Sequence, residues 1–460
     1  MFLSLGWSFL LVAFAAPQQA IVRPIHAERG IDISARVETM QGEVIFSHLG
    51  DVPRVLASNN KLLTMAAVVL GLPSNYRWQT CARLEGNSLR VFGNGDPSLR
   101  VLPDRNPPDE FATLLASRLL SASHPKLDSL IIDARAFISG RPPLWPSDQR
   151  YRPYCAPPSA MALEGSCISI TPVSGKLTMS PDCGIRIKRK NKKGFWAGWI
   201  SPDREVSVTW DGKAKGILQL AVDDPARVFG EWLLRALRRR GVAIAELRFA
   251  AQDDPDPWAT ETKTLLRFAS AWDLADAVKV ANRDSDNTLT ETLLLTLARE
   301  KTGVGSLEAG LAEVHRQLSA LGISPDAFSQ ADGSGMSRSS THAVNVCAPS
   351  TLVRLLREMG EQDEAALFFD SLPVGGQEGH LRKILKDDVF QPGRVRAKTG
   401  WITGASSLSG FMLAPDDETV LLFSIVVNYQ KDHTARTNNK RFRKMQEDVL
   451  KEVMEKWTTR

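Results

Sequence analysis

The 460-residue sequence is poor in cysteine and histidine, with five of one and seven of the other. The cysteines (Cys81, Cys155, Cys167, Cys183 and Cys347) are odd in number and well separated, and no two make a C-x-x-C pair. That spacing excludes a zinc ribbon and a thioredoxin-type redox motif. One or two disulfides stay open, with no pairing to be read. The histidines are scattered and none makes an H-x-x-x-H pair, so no metal is expected. A large excess of one charge is also lacking: 57 basic residues face 52 acidic ones, a net charge of +5. So mild a balance gives no argument for a nucleic-acid partner, although it suits an acidic wall or membrane surface. There are no internal repeats and no low-complexity stretch.

What is present is the composition of an ordinary soluble protein, 43% hydrophobic and 24% charged. The length allows two or three domains. Phe2 to Ala16 form an apolar run too short to span a bilayer comfortably. Ala13-Phe14-Ala15 has the small-residue pattern of a cleavage site, so residues 1–16 read as a signal peptide and export is expected. No Lys or Arg precedes Arg23, so the basic start of such a signal is missing: either the start is truncated or the signal is atypical. The other reading is a buried N-terminal strand or helix. No later stretch approaches membrane-spanning length.

Ala35 to Met40 and Glu43 to Phe46 flank Gln41-Gly42 and read as a β-hairpin. Leu62 to Leu70 are apolar almost all round, apart from Thr64, which marks a buried helix ended by Gly71-Leu72-Pro73. From about Leu84 short strand-like runs dominate: Ser88 to Phe92, Ser129 to Asp133, Cys167 to Thr171, Glu205 to Trp210 and Ile217 to Val222. Two helices interrupt them, Asp109 to Ser121 and Pro225 to Arg240. The basic run Lys188 to Lys193 reads as a solvated hairpin tip, with contact to an anionic wall polymer as the alternative. Pro255 and Pro257 suggest an exit linker. From Leu265 to about Gly360 the pattern is helical, most clearly over Asp273 to Val280 and Thr288 to Arg299. Gly393 to Gly410 reads as strand–turn–strand and Thr419 to Asn428 as an apolar strand. Arg441 to Trp457 is an amphipathic helix with Met445, Val449, Val453 and Trp457 in register. Its acidic residues oppose anionic lipid, so it is expected to pack on the sheet. Residues 21–84 and 262–460 thus form one α/β (α+β) unit. Residues 85–261 form a β-rich insertion with room for two nested subdomains.

Three short motifs carry chemistry. Ser58-Asn59-Asn60-Lys61 opens the buried helix, and side chains at i and i+3 share a helix face, so hydroxyl and amine can meet. A desolvated lysine favours its neutral amine, which can take the hydroxyl proton during attack. Taken alone the pair is weak, since composition yields about one or two such matches in a chain this long. Ser123-His124-Pro125-Lys126 is a second match, spoiled by its proline. Ser285-Asp286-Asn287 precedes the helix from Thr288, where such residues serve as N-caps. Its functional reading sets Ser285 beside the lysine as a proton relay and Asn287 on a substrate carbonyl. Lys398-Thr399-Gly400 lies in a strand context, where lysine and threonine can bind a carboxylate and glycine admits a substrate backbone. Lys301-Thr302-Gly303 is the same tripeptide at a helix end.

In that order, Ser58-x-x-Lys61, Ser285-Asp286-Asn287 and Lys398-Thr399-Gly400 resemble the three motifs of the penicillin-recognising serine enzymes. The wider context is similar to D-alanyl-D-alanine carboxypeptidase/endopeptidases of the penicillin-binding protein 4 type. Gly93 to Leu99, Tyr154 to Ala160, Asp332 to Arg338 and Leu372 to Gly376 match further stretches of that family, over nearly the whole chain after the leader. The resemblance implies a β-lactamase/transpeptidase-like fold, an antiparallel sheet flanked by helices and interrupted by the insertion. It implies Ser58 as nucleophile, Lys61 as general base and Ser285 and Asn287 as the second wall of the cleft. Lys398 and Thr399 would bind the terminal carboxylate of a stem peptide. The backbone N–H groups of Ser58 and Trp401 would form the oxyanion hole, with Gly400 among the substrate-binding residues. Peptidoglycan stem peptides are the implied substrate and β-lactams the implied inhibitors, with no metal or organic cofactor, in the periplasm or cell-wall space. Two departures stand out: Trp401 replaces a small hydroxylated residue, and Gly379-His380-Leu381 replaces a Gly-Thr-Leu turn. The rival readings are a catalytically idle peptidoglycan-binding scaffold and a β-lactamase-like hydrolase.

Overall fold

A computed structural model of the chain describes residues 30–138, 140–259, 264–430 and 435–457. The expected leader over 1–16 and the boundary at 262 lie outside them. Strands β1 (Ile31–Thr39) and β2 (Val44–His48) form the expected hairpin around Gln41-Gly42, with a register shift between Val37 and Glu38. A short strand, β3 (Arg54–Val55), leads through a 3-10 turn (Ala57–Asn59) into helix α1 (Asn60–Gly71). Every residue of α1 except Leu70 is buried. Leu, Met and Ala fill its first turns and favour helix, while Val68 and Val69 come late. Leu72 is already extended, as the residue before Pro73 must be.

The stretch expected to be an insertion, with the strand before it, runs through β4 (Gln79–Glu85), β5 (Ser88–Gly93), α2 (Pro107–Ser121), β6 (Lys126–Asp133), β7 (Cys167–Val173) and β8 (Lys176–Ser180). It continues with β9 (Arg186–Lys190), β10 (Phe195–Ser201), β11 (Glu205–Trp210), β12 (Leu218–Ala221), α3 (Pro225–Arg239), β13 (Ala243–Phe249) and β14 (Leu266–Ala269). These strands make a five-stranded sheet, β13-β6-β5-β4-β14, and two three-stranded sheets, β12-β7-β8 and β10-β11-β9. Asn106 and Asp224 cap α2 and α3, each followed by proline in the first turn. Phe111 and Leu115 of α2 meet Phe229 and Leu233 of α3 over Leu130 and Ile132, in a core of their own. The basic run is not a hairpin tip. Lys188 to Lys190 belong to β9, which pairs with β11 in parallel, while β10 pairs with the other edge of β11. A strand made later in the chain separates the two arms, which local sequence cannot reveal. Strands β4 and β14 pair antiparallel, so the chain leaves and re-enters side by side.

Four helices come next: α4 (Leu274–Arg283), α5 (Asn287–Thr302), α6 (Leu307–Ala320) and, after β15 (Phe328–Ser329) and β16 (Val346–Cys347), α7 (Pro349–Gly360). Then come α8 (Ala365–Asp370), β17 (Val395–Ile402), β18 (Ala405–Leu413), β19 (Val420–Tyr429) and α9 (Ala435–Trp457). The main sheet has the order β17-β18-β19-β1-β2 and is antiparallel throughout. Alternation along β19 divides its side chains between two cores. Leu422 and Val426 join α1, α5 and α7 on one face, and Leu421, Phe423 and Ile425 join Val449, Leu450 and Val453 of α9 on the other. The result is the expected antiparallel sheet with helices on both sides. Lys301-Thr302-Gly303 ends α5, with Gly303 left-handed at φ +80°. All five cysteines are buried free thiols, so the disulfides left open above are not formed. No helix among the described residues is long and apolar enough to cross a membrane.

Candidate active site

The turn before α1 sets Ser58 at the mouth of a cleft and Lys61 beneath it. Ala57 is buried and left-handed, with φ +49°, a conformation that costs a non-glycine residue about 1–3 kcal/mol. The turn is held from both sides. Asn59 Nδ2 donates to Ser409 Oγ at 2.5 Å, and Ser407 Oγ donates to the Leu56 carbonyl at 2.6 Å. Gly335 closes on it from the other side, where a Cβ would lie 1.9 Å from the Ala57 oxygen.

Lys61 is fully buried and has three neighbours. Its Nζ lies 3.1 Å from Ser58 Oγ, 2.7 Å from Asn287 Oδ1 and 2.9 Å from the Ser334 carbonyl oxygen. The orientation of the Asn287 amide is fixed by its other end, which donates to the Tyr154 carbonyl at 2.9 Å. Two of the three neighbours can therefore only accept. A neutral amine has two hydrogens for them and one lone pair left, which faces the Ser58 hydroxyl. Burial lowers the Lys61 pKa to about 8, against the fields of Asp332, Glu291 and Asp286.

The Ser334 carbonyl is held in place by two buried carboxylates. Glu291, one turn after Asn287 on α5, accepts from Ser334 N at 2.8 Å and Gly333 N at 3.1 Å. Burial raises its pKa to about 8. Asp332 accepts from Gly335 N at 2.6 Å, Ser337 N at 2.5 Å and Trp145 Nε1 at 2.8 Å. Thr64 Oγ1 donates to the Gly333 carbonyl at 2.8 Å.

The other wall is built by the α4–α5 junction and β17. Asp286 caps α5, accepting from Leu289 N at 2.9 Å, so the capping reading of this motif holds for its middle residue. Ser285, left-handed at φ +56°, turns toward β17. Its Oγ accepts from Lys398 Nζ at 2.8 Å, so its lysine partner is Lys398 and not the Lys61 expected of a relay. Lys398 is buried, also donates to the Thr399 carbonyl at 2.9 Å, and is held well below the usual lysine pKa by burial, then by Lys61 and Arg443. Gly400 lies against the serine turn: a Cβ there would sit 2.9 Å from Ser58 N and 2.7 Å from the Leu56 oxygen.

These pieces line one cleft of about 620 Å³, bounded by Ser58, Ser285, Asn287, Thr399 and Trp401. Ser123 and Lys126 lie away from it, at the end of α2 and the start of β6. Sequence reasoning did not single out Gln149 and Arg443, which also line it, nor Glu291 beneath it. Glu291 had a legible signal, four residues after Asn287 and so on the same helix face. The other two had none.

Known proteins share this architecture. A D-alanyl-D-alanine carboxypeptidase from Actinomadura sp. is 29% identical over 430 residues, covering 85% of this chain and 76% of the relative. The D-alanyl-D-alanine carboxypeptidase DacB of Haemophilus influenzae is 22% identical and covers 93% of this chain and 92% of its own. The crystal structure of penicillin binding protein 4 from H. influenzae superposes with a TM-score of 0.76 at 20% identity, over 93% of this chain and 97% of that one. It shows that the two share a fold. A predatory endopeptidase from Bdellovibrio bacteriovorus follows with a TM-score of 0.55 at 15% identity, over 93% of this chain and 94% of its own. Matched over residues 26–449, the chain belongs to the D-Ala-D-Ala carboxypeptidase 3 (S13) family.

Proposed function

We propose that this chain is an exported serine DD-peptidase that cleaves after D-alanine in peptidoglycan stem peptides, with Ser58 as its nucleophile. It removes the terminal D-alanine and also cuts D-alanine cross-links, where the leaving amine belongs to a neighbouring stem. The observation that carries this is the placement of Lys61, with two acceptors for its hydrogens and a lone pair on Ser58. The Ser58 oxygen attacks the carbonyl of the penultimate D-alanine as its proton passes to Lys61. Negative charge on the carbonyl oxygen is met by the backbone N–H groups of Ser58 and Trp401, which Gly400 allows to approach. The tetrahedral adduct expels the terminal D-alanine as an amine, which takes up the proton that Lys61 received. Water then attacks the acyl-enzyme as one of its protons passes to Lys61; the ester bond to Ser58 breaks, Lys61 returns that proton to the Ser58 oxygen, and the product leaves as a carboxylate with its remaining proton lost to solvent. Lys398, Thr399 and Ser285 bind the carboxylate of the leaving residue, and Asn287 faces the acyl chain. A β-lactam enters the same path and stalls at the acyl-enzyme.

We also propose the division into a peptidase unit, 21–84 and 262–460, and an insertion over 85–261. The separate core under α2 and α3 supports it. The sheet of the insertion draws in β4 and β14, so on structural grounds its edges reach Gln79 and Ala269.

Two measurements test the reading. Intact protein carries a fluorescent penicillin and releases D-alanine from a defined pentapeptide, and Ser58→Ala does neither. Labelling that persists in Ser58→Ala refutes the choice of nucleophile.

A further inference from the structure

Arg443 reaches the cleft from α9 and lines it together with His380 and Thr399. Its neighbours on that helix have carboxylate partners: Lys444 with Asp448 at 2.7 Å, Lys451 with Asp387 at 3.0 Å, Lys456 with Glu452 at 2.9 Å. Arg443 has neither hydrogen bond nor ion pair among the described residues. Glu447, one turn on, is the obvious partner, but its carboxylate is drawn to the Leu385 amide. Glu447 still acts on Arg443 through its field, but among the described residues no acceptor lies within hydrogen-bond reach of the half-buried guanidinium, whose donors stay open to an outside acceptor.

The surroundings say what that something is. Lys398 and His380 both feel the field of Arg443, and each is held below its usual pKa, burial being the larger cause. Asp284 is the only carboxylate among the lining residues of the cleft, and its Oδ1 lies 3.5 Å from Arg283 Nε. Lys398 already gives hydrogens to Ser285 Oγ and to the Thr399 carbonyl, which leaves it little to offer a second anion oxygen. Burial lowers the Arg443 pKa against the pull of Glu447, but from so high a start that the guanidinium keeps its charge. Its planar fork suits a carboxylate taken by two parallel bonds.

The position of Arg443 is also built. Trp401 stacks on Tyr429 with ring centres 5.9 Å apart, and Tyr429 packs on Phe442 at 4.6 Å. That column ties β17 to α9 one residue before Arg443. At the strand position after Gly400 stands an indole, with no hydroxyl to offer an anion. Gly379 makes the opposite wall tight: at φ +48° it packs against the Arg283 carbonyl, where a Cβ would lie 2.2 Å away, and so delivers His380 to the cleft.

We propose that Arg443 is a specificity-determining residue: it receives the carboxylate of the leaving residue together with Thr399, and so makes a free carboxylate a requirement of the substrate. The inference rests on the serine DD-peptidase reading. The experiment compares a pentapeptide ending in D-Ala-D-Ala with the same peptide as its C-terminal amide. For each, kcat/KM is measured with wild type, Arg443→Gln and Arg443→Lys. Wild type favours the free acid, and the acid-to-amide ratio falls about 30-fold in Arg443→Gln, the scale of a lost charge-assisted hydrogen bond. Arg443→Lys restores part of it. An unchanged ratio overturns the proposal, whether or not overall activity falls, because a merely structural role weakens both substrates alike. The same ratio is read without catalysis from the binding of both peptides to Ser58→Ala and to Ser58→Ala with Arg443→Gln. A wild type that releases no D-alanine and takes no penicillin label sinks the DD-peptidase reading, while the binding ratio still decides the role of Arg443.

Discussion

Ser58 and Lys61 are three positions apart, and that spacing alone says they can touch. It does not say which of them holds the proton. The answer lies in two acceptors from far along the chain, Asn287 Oδ1 and the Ser334 carbonyl, which use both hydrogens of a neutral amine. The titration has a definite sign. Below about 8 Lys61 is protonated and its lone pair is gone; above it the base is free. The groups that share its field are Asp332, Glu291 and Asp286, which raise its pKa, and Lys398, which faces it from β17. Acylation by penicillin is therefore expected to rise about tenfold per pH unit toward 8 and to level off beyond it, as followed by stopped-flow labelling. Lys61→Ala loses the limb and about 100- to 10,000-fold in rate. At this scale the motif residues were legible because chemistry restricts their types and spacing. Arg443 was not. It is one basic residue among many on an amphipathic helix, and its importance comes from Glu447 turning to Leu385, a matter of tertiary packing.

Among elements, β17 decides how a substrate can lie. It is the edge of the main sheet. Its first half is covered: Gly375 N donates to the Val395 carbonyl at 2.9 Å and Ala397 N to the Pro373 carbonyl at 3.1 Å. From Thr399 onward the strand borders the cleft, where an extended peptide can add itself as another strand. Gly400 is where this edge meets the serine turn. In Gly400→Ala the methyl would fall 2.2 Å from Ser407 Oγ and 2.9 Å from Ser58 N, forcing the strand away from the nucleophile. Acylation by penicillin is expected to fall about 100- to 1,000-fold, the cost of a misplaced oxyanion donor, with a much smaller effect on thermal melting. Most helices and the long apolar strands were legible from periodicity, β11 to the residue. The paired neighbours were not. Strands β9 and β10 look like two arms of a hairpin until β11 is placed between them.

For the molecule as a whole, the proposed insertion is more than a passenger beside the proposed peptidase unit. It has its own core, yet its loops return to the cleft. Trp145 binds Asp332 at 2.8 Å, the Tyr154 carbonyl holds the Asn287 amide, and the Ala156 carbonyl accepts from Thr288 Oγ1 at 2.8 Å. Replacing 79–269 by a short linker is geometrically easy, since β4 and β14 lie side by side. The shortened protein is nevertheless expected to lose penicillin labelling, measured on the soluble fraction, because Asn287 loses the Tyr154 carbonyl that turns its amide oxygen toward Lys61. The sequence signalled an insertion through its change to short strands, but not that it would brace the motif residues.

The pairing of β1 with β19 carries a last consequence. The strand begun at Ile31 is flanked on one side by a strand that ends at Tyr429, so the main sheet cannot close until almost everything has been synthesised. A nascent copy halted before Val420 already holds all three motifs, but lacks β19, the strand that joins β18 to β1. The platform beside the serine is thus among the last parts of the fold to be completed, when the final strand of the sheet meets the first.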